Sequence, residues 1–190
     1  MVASGLGLLV LSPLFVVLAV WIKLDSRGPV FYRQTRVGRH NKDFRLFKFR
    51  SMRVGADKQG LITVGGHDPR ITRSGYFIRK YKLDELPQLI NVFIGDMSLV
   101  GPRPEVRKYV DLYTPEQLHV LDVRPGITDM ASIRYRNENE LLESVDNPDQ
   151  YYVEVIMQDK LRINLEYVAR HSFWFDIQLI FKTFYTIVTE

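Results

Sequence analysis

Apolar and polar positions divide the chain into a hydrophobic start, a mixed middle and a helical end. From Val2 to Ile22 no residue is charged. A helix needs about 20 such residues to cross a bilayer, so the run is long enough to span. A secretory signal fits poorly, because no cationic region precedes the run and no clear small-residue cleavage site succeeds it. Ser12-Pro13 stands at its midpoint, where proline removes one helical hydrogen bond and crowds another. Hydropathy alone favours a kinked spanning helix.

Pro29–Gln34 and Phe44–Phe49 read as short strands around a Gly38/Asn41 turn, a β-hairpin. Residues 54–75, rich in glycine and polar groups, read as a mobile loop; the Gly65-Gly66 pair is too weak a signal for a phosphate loop. Leu83, Leu86, Leu89/Ile90 and Phe93 recur at helical spacing. Glu105–Tyr113 suits a short helix. Thr114-Pro115-Glu116-Gln117 suits another start, with proline in the first turn and Leu118, Leu121 and Val123 on the apolar side. Asn147-Pro148-Asp149 opens a helix to about Arg170, carrying Tyr152, Val155/Ile156, Leu161 and Leu165. A last helix, Ser172–Val188, is dense in Phe173, Trp174, Phe175, Phe181, Phe184 and Tyr185. That stripe is either core or an interfacial face lying on a bilayer. The pattern predicts an α+β fold: a small, mostly helical domain with a β-hairpin and interfacial amphipathic helices, residues 23–190, behind a membrane segment, residues 1–22.

Charge sharpens the picture. The net +4 conceals a split: residues 23–108 hold 19 Lys/Arg against 8 Asp/Glu, and residues 109–190 hold 7 against 14. The basic half must meet something anionic. No nucleic-acid motif is visible and the cations begin directly beside the apolar run, so lipid headgroups and phosphates are the expected partners. Lys23, Arg27, Arg33, Arg36 and Arg39 place the domain after the apolar run in the cytoplasm. Cysteine is absent, which excludes disulfides and thiolate metal sites. His40, His67, His119 and His171 lack ligand spacing.

The densest chemistry lies between Arg79 and Pro104. Asp84 and Glu85 stand near a helix start beside Arg79, Lys80 and Lys82, and the turn Gly101-Pro102-Arg103-Pro104 returns an arginine. Asp84 as an N-cap and Glu85 as a first-turn acid is the plain reading. Helix capping, however, needs no cationic cluster. Two carboxylates among cations suit phosphate chemistry: Mg²⁺ takes one or two carboxylates plus substrate phosphates, and an aspartate can attack phosphorus. Pro102 and Pro104 restrict the backbone on both sides of Arg103, whose planar fork matches phosphate better than lysine does.

Lys82-Leu83-Asp84-Glu85-Leu86-Pro87-Gln88-Leu89-Ile90-Asn91-Val92, Gly95-Asp96-Met97-Ser98-Leu99-Val100-Gly101-Pro102-Arg103-Pro104 and Val123-Arg124-Pro125-Gly126-Ile127-Thr128, in that order, resemble the bacterial sugar transferase family. Its members are the monotopic polyprenyl-phosphate phosphoglycosyl transferases, and the resemblance covers nearly the whole chain. It implies transfer of a sugar-1-phosphate from a UDP-sugar to polyprenyl phosphate, with Asp84 as nucleophile, Glu85 (with Asp84) holding Mg²⁺, and UMP released. Phe47-Lys48-Phe49-Arg50-Ser51-Met52 resembles the motif whose lysine approaches the active site, which brings in Lys48 and Arg50. Arg79 and Arg103 would neutralise phosphate oxygens, and Arg124 would join the nucleotide-sugar pocket.

The resemblance also implies that Ser12-Pro13 turns the membrane helix back, giving a re-entrant hairpin on the cytoplasmic face of the bacterial inner membrane. The family usually carries a basic residue and an Asp just upstream, so a truncated N-terminus stays open. Many members continue after Thr128 with Gly-Trp-Ala-Gln-Val-Asn-Gly-Arg. Here Asp129-Met130-Ala131-Ser132-Ile133-Arg134-Tyr135-Arg136 stands instead, which leaves the sugar undefined. Asn137 and Glu138 are either sugar-binding or loop-capping. Partners are a UDP-sugar, polyprenyl phosphate and membrane lipids, without nucleic acid; a homo-oligomer stays open. Two rival readings remain: a membrane-anchored, non-catalytic lipid- or nucleotide-binding module, and an enzyme using Asp84 as a general base.

Overall fold

The structure, a computed structural model, describes residues 1–60, 62 and 68–189. Gly65, Gly66 and His67 lie outside the described residues. The charge-free run forms α1, Val2–Asp25, which continues across Ser12-Pro13 without dividing into two helices. Pro13 has no N–H to give the carbonyl four residues back, that of Leu9. The Ser12 hydroxyl donates to that same carbonyl at 2.8 Å, so the orphaned acceptor is satisfied.

Leu14, Phe15, Leu18 and Ile22 pack against Phe49, Ile78 and Leu83, whereas Leu9, Val10, Val16, Val17 and Val20 stay exposed. An all-round apolar helix covered on one face only leaves a hydrophobic surface in need of cover. By length and composition α1 can cross a membrane. Its end overruns the expected boundary at residue 22: Asp25 Oδ2 accepts from Ser74 N and Oγ at 2.9 and 2.8 Å, tying α1 to the following domain.

The predicted hairpin is present as β1, Phe31–Val37, and β2, Asp43–Phe49, antiparallel from Phe31↔Phe49 to Val37↔Asp43. It continues beyond the expected strand end at Gln34. Arg50, expected beside Lys48 in the site, also secures the end of α1. Its guanidinium donates to the carbonyls of Arg27 and, at 2.8 Å, of Ser26, groups left without helical donors where α1 ends. Arg50 borders the cavity beside Asp84 as well.

Next come α2, Arg73–Lys80, capped by Thr72, and a 3₁₀ turn, Leu83–Glu85. Pro87 then leads into α3, Gln88–Ile94. β3, Ser98–Val100, runs parallel to β4, Gly126–Thr128. Between them α4 is only Arg107–Val110, shorter than the expected Glu105–Tyr113. Glu105 lies outside it because its carboxylate accepts from Val106 N and from Arg36. The expected helix after Thr114 is a 3₁₀ helix, Gln117–Asp122. Thr114 and Gln117 exchange backbone-to-side-chain bonds of 3.0 and 3.3 Å, a capping box.

Short helices α5, Met130–Arg134, α6, Glu138–Glu143, and α7, Pro148–Tyr151, lead to α8, Met157–Arg170, and α9, Phe173–Thr189. Residues 148–170 are helical throughout, as expected, but a π-turn at Tyr152–Ile156 interrupts the α-helical ladder. It lies in the largest core cluster, where Val106, Tyr109, Leu142, Tyr152, Ile156 and Leu161 pack together. Helix α9 divides its hydrophobic residues: Leu179 is buried, while Phe173, Trp174, Phe181, Phe184 and Tyr185 are exposed. Of the aromatic stripe Phe175 packs against the cluster of Val100, Tyr167 and Leu179, and the others named face outward.

Candidate active site

Asp84 reaches its place through two local features. Lys82 adopts a left-handed conformation, φ 55°, which ends α2 and starts the tight 3₁₀ turn. That turn sends adjacent side chains in different directions, as the helical geometry of neighbours requires. Asp84 turns inward, 6% exposed, and borders a cavity of about 610 Å³. Glu85 points elsewhere, toward β2 and the Gly101–Pro104 turn. Neither caps α3, whose N-cap is Pro87.

Glu85 joins two distant cations. Lys48 Nζ lies 3.1 Å from Glu85 Oε1. Arg103 binds the same carboxylate with both arms: Nη1 donates to Oε2 at 3.0 Å and Nη2 donates to Oε1. Such bidentate, charge-assisted pairs fix geometry as well as charge. Lys48, Arg79, Asp84 and Arg103 all border the cavity.

The charges set one another's protonation. Burial pushes the Asp84 carboxyl above its ordinary range, against the pull of Lys48. Burial acts the same way on Glu85, but Arg103 and Lys48 outweigh it and hold Glu85 well below the usual range. For Lys48 burial lowers the ammonium while Glu85 opposes the change. Arg103 is driven up, first by Glu85. The two adjacent acids thus differ in kind: one is a locked anion, the other a carboxylate whose charge is costly to keep buried.

The backbone around Arg103 is held from several sides. Gly126 N donates to Pro102 O at 3.0 Å, and Gly101 N to Thr128 O at 3.0 Å. Arg36 Nη1 donates to Pro104 O and to Glu105 Oε1, each at 3.0 Å. Pro102 and Pro104 are buried. Strand β2, which carries Lys48, is secured by Asn91 of α3: Asn91 Oδ1 accepts from Phe47 N at 3.0 Å, and Nδ2 donates to Arg45 O at 2.8 Å.

Two expected site residues lie away from the cavity. Arg124 is exposed and does not border it; its turn serves Arg103 through β4 instead. Asn137 is exposed and holds the N-cap position of α6. Glu138 does border the cavity, where it pairs with Lys160.

Sequence reasoning missed Glu105, Tyr152 and Lys160. The Tyr152 hydroxyl donates to Glu105 Oε2 at 2.5 Å, and Lys160 Nζ lies 5.4 Å from the Tyr152 ring centroid. Tyr152 read as one more apolar helix position, and no spacing rule links it to Glu105. The π-turn that carries it is the kind of irregularity often found at functional sites, but the sequence does not announce it.

Among the described residues no three His, Asp or Glu side chains form a metal cage. A magnesium ion needs none, since substrate phosphates supply much of its shell. Asp84 offers a carboxylate toward the cavity. Glu85 would have to exchange one of its cationic partners for the ion.

A family model described as bacterial sugar transferase matches residues 1–190. The UDP-N-acetylgalactosamine-undecaprenyl-phosphate N-acetylgalactosaminephosphotransferase of Aeromonas hydrophila is 39% identical over 98% of this chain and 42% of its own length. The UDP-glucose:undecaprenyl-phosphate glucose-1-phosphate transferase of Escherichia coli (strain K12) is 40% identical over 96% of this chain and 38% of its own length. A relative of that same description from Caulobacter vibrioides is 34% identical over 99% of this chain and 67% of its own length. The chain spans about two fifths of the length of the first two relatives.

Proposed function

Since this chain belongs to the bacterial sugar transferase family, we propose that it moves a sugar-1-phosphate from a UDP-sugar to undecaprenyl phosphate, opening glycoconjugate assembly. One observation carries the reading: a buried carboxylate, Asp84, opens on a cavity bordered by Lys48, Arg79 and Arg103. A pyrophosphate is strongly anionic, and an anionic nucleophile reaches it only where cations offset the repulsion.

In the first step an Asp84 oxygen attacks the sugar-bearing β-phosphorus. The bond from that phosphorus to the bridging oxygen breaks, and UMP departs with the electron pair. In the second step a phosphate oxygen of undecaprenyl phosphate attacks the same phosphorus, breaking its bond to Asp84 and restoring the carboxylate. Covalent catalysis replaces one hard transfer with two easier ones. Arg103 presents its guanidinium to the phosphate oxygens, and Glu85, itself paired with Lys48, positions it. Magnesium, held by Asp84 and Glu85 together with the substrate phosphates, would screen charge on the diphosphate.

Membrane attachment is the second part of the proposal: α1 lies in the cytoplasmic leaflet of the inner membrane with both ends on the cytoplasmic side. Its early residues support this. A Cβ on Gly5 would stand 3.2 Å from the Phe93 ring, and one on Gly7 would stand 3.5 Å from Leu89, so the start of α1 lies along α3. A helix spanning away from the domain would separate them. With cysteine absent, single cysteines at positions 2 and 24 report topology directly. Labelling of both from one face supports the re-entrant path, and labelling from opposite faces removes it.

Incubation with a panel of UDP-sugars and Mg²⁺, without lipid, tests the chemistry. A sugar-phosphate mass gain on Asp84 with UMP release supports the covalent reading. Turnover only with lipid, and without adduct, selects Asp84 as a general base. Inertness with lipid present leaves the binding module. The relatives' names specify different sugars at similar identity, so the panel must span hexoses and N-acetylhexosamines.

A further inference from the structure

A second, smaller void that shares Arg103 with the cavity is bordered by a carboxylate that the reaction above does not use. Asp129 is 2% exposed. Its Oδ1 caps α5 by accepting from Ser132 N at 2.8 Å, but its Oδ2 is buried without a protein donor. This void, of about 30 Å³, is bordered by Asp129, Arg103, Lys160 and Asn164 and is large enough for a single water. Asn164 Oδ1 is likewise buried without a partner. Burial raises the Asp129 carboxyl, while Ser132, Arg103 and Lys160 oppose that rise.

A helix cap uses one oxygen and tolerates asparagine or serine as well as aspartate. A carboxyl in so dry a place is therefore more than capping requires, and burying it charged and unpaired is costly. Ser132 donates to one oxygen, and the nearby charges of Arg103 and Lys160 offset the rest. Glu85 grips one side of Arg103, and Asp129 borders the same small void as Arg103. At low effective dielectric the two charges act on each other beyond hydrogen-bond range.

We propose that Asp129 is a positioning residue for Arg103, a second carboxylate that holds the guanidinium in its working place when a phosphate competes with Glu85 for its donors. This rests on the reading of Arg103 as a phosphate-binding group. A phosphate that draws Arg103 forward weakens the Glu85 pair. The charge on Asp129 then limits how far the fork travels and restores it when the product leaves. The commonest family continuation at this point starts with glycine, so the device belongs to chains that carry an acid here.

A double-mutant cycle tests it. Asp129→Asn keeps a good cap and removes the charge; Asp129→Ser does the same with a different shape. Both should retain the wild-type circular dichroism spectrum and lower kcat for UMP release about tenfold, a size typical of coupled neighbours, with KM for the UDP-sugar nearly unchanged. In an Arg103→Lys background the same substitutions should change kcat less than about twofold. Wild-type kcat in both variants, or equal losses in the two backgrounds, overturns the proposal. If the wild-type chain releases no UMP from any UDP-sugar, the reaction falls and a stability cycle decides this inference. The shift in unfolding midpoint caused by Asp129→Asn must differ between Arg103 and Arg103→Met proteins, and equal shifts overturn it.

Discussion

Gly101 and Gly126 meet backbone to backbone where β3 and β4 pair, so a Cβ on Gly126 would collide with the amide and carbonyl of Gly101. Gly126 N donates to Pro102 O, one residue before Arg103. The turn that delivers the arginine is thus positioned by a second turn that itself contributes no side chain to the cavity.

Gly126→Ala should therefore act as an active-site mutation at a distance. The clash is with backbone, which cannot swing aside, so the Gly101–Pro104 turn must shift; a displacement of about 1 Å can cost on the order of 100-fold in rate. Gly95→Ala supplies the comparison. Gly95 has φ 94° but open space around it, so it should lose about 1 kcal/mol of stability with kcat retained. Denaturant melts and UMP release on both variants check the contrast.

Asp84→Asn should abolish both the covalent adduct and UMP release. Because burial already disfavours the charged form of Asp84, the neutral amide should leave the unfolding midpoint unchanged or slightly higher. Intact-protein mass spectrometry and a thermal melt measure the two outcomes. Full activity would remove Asp84 from the mechanism.

Arg103→Lys keeps the charge and loses the fork. The pair of bonds to Glu85 cannot be reproduced by one ammonium, and a lost transition-state donor typically costs about 100-fold or more. kcat should fall by about that factor. Unchanged turnover would show that only charge matters at this position.

Asn91→Ala should loosen the strand that carries Lys48. It strips partners from Phe47 N–H and Arg45 C=O, and a buried polar group left unsatisfied costs about 1–3 kcal/mol. The unfolding midpoint in urea should drop, and amide exchange at Phe47 should accelerate.

Acid should release the segment before α2. Arg70 donates to Asp68 and to the carbonyls of Gly60 and Ile62, the latter two at 2.8 Å. Its side-chain bond holds the Asp68 carboxyl below the usual carboxylate range, against burial, which raises it. A depressed folded-state pKa contributes stability above the unfolded value and loses it as pH falls through the folded one. Asp68→Asn should therefore be less stable than wild type at neutral pH, with the difference narrowing below about pH 4. Paired melts from neutral pH into the acid range test this, and a constant difference would refute it.

Much of the architecture was legible along the chain because it arises from local chemistry. A charge-free run makes a helix, alternating residues around Gly38 make a hairpin, and Asp84, read among cations, borders one cavity with Arg79 and Arg103. Ser12 and Pro13 belong here too: the carbonyl that one orphans is the carbonyl that the other satisfies. Arg124 and Asn137 lie away from the cavity, while Arg50 borders it and also donates to the chain's own carbonyls, because a residue type in a motif does not say what its donors meet.

Sequence alone determined the long helices, the hairpin, the charge-free segment and the family, since each rests on near neighbours or on ordered motifs. Tertiary structure alone decided that Glu85 joins Lys48 to Arg103, that Tyr152 reaches Glu105, and that Asp129 lies buried at a void it shares with the arginine. These contacts join residues 18 to 47 positions apart or border one void, and no local periodicity encodes a meeting of that kind. It arises only when separate elements bury their apolar faces together and the polar groups between them must find partners.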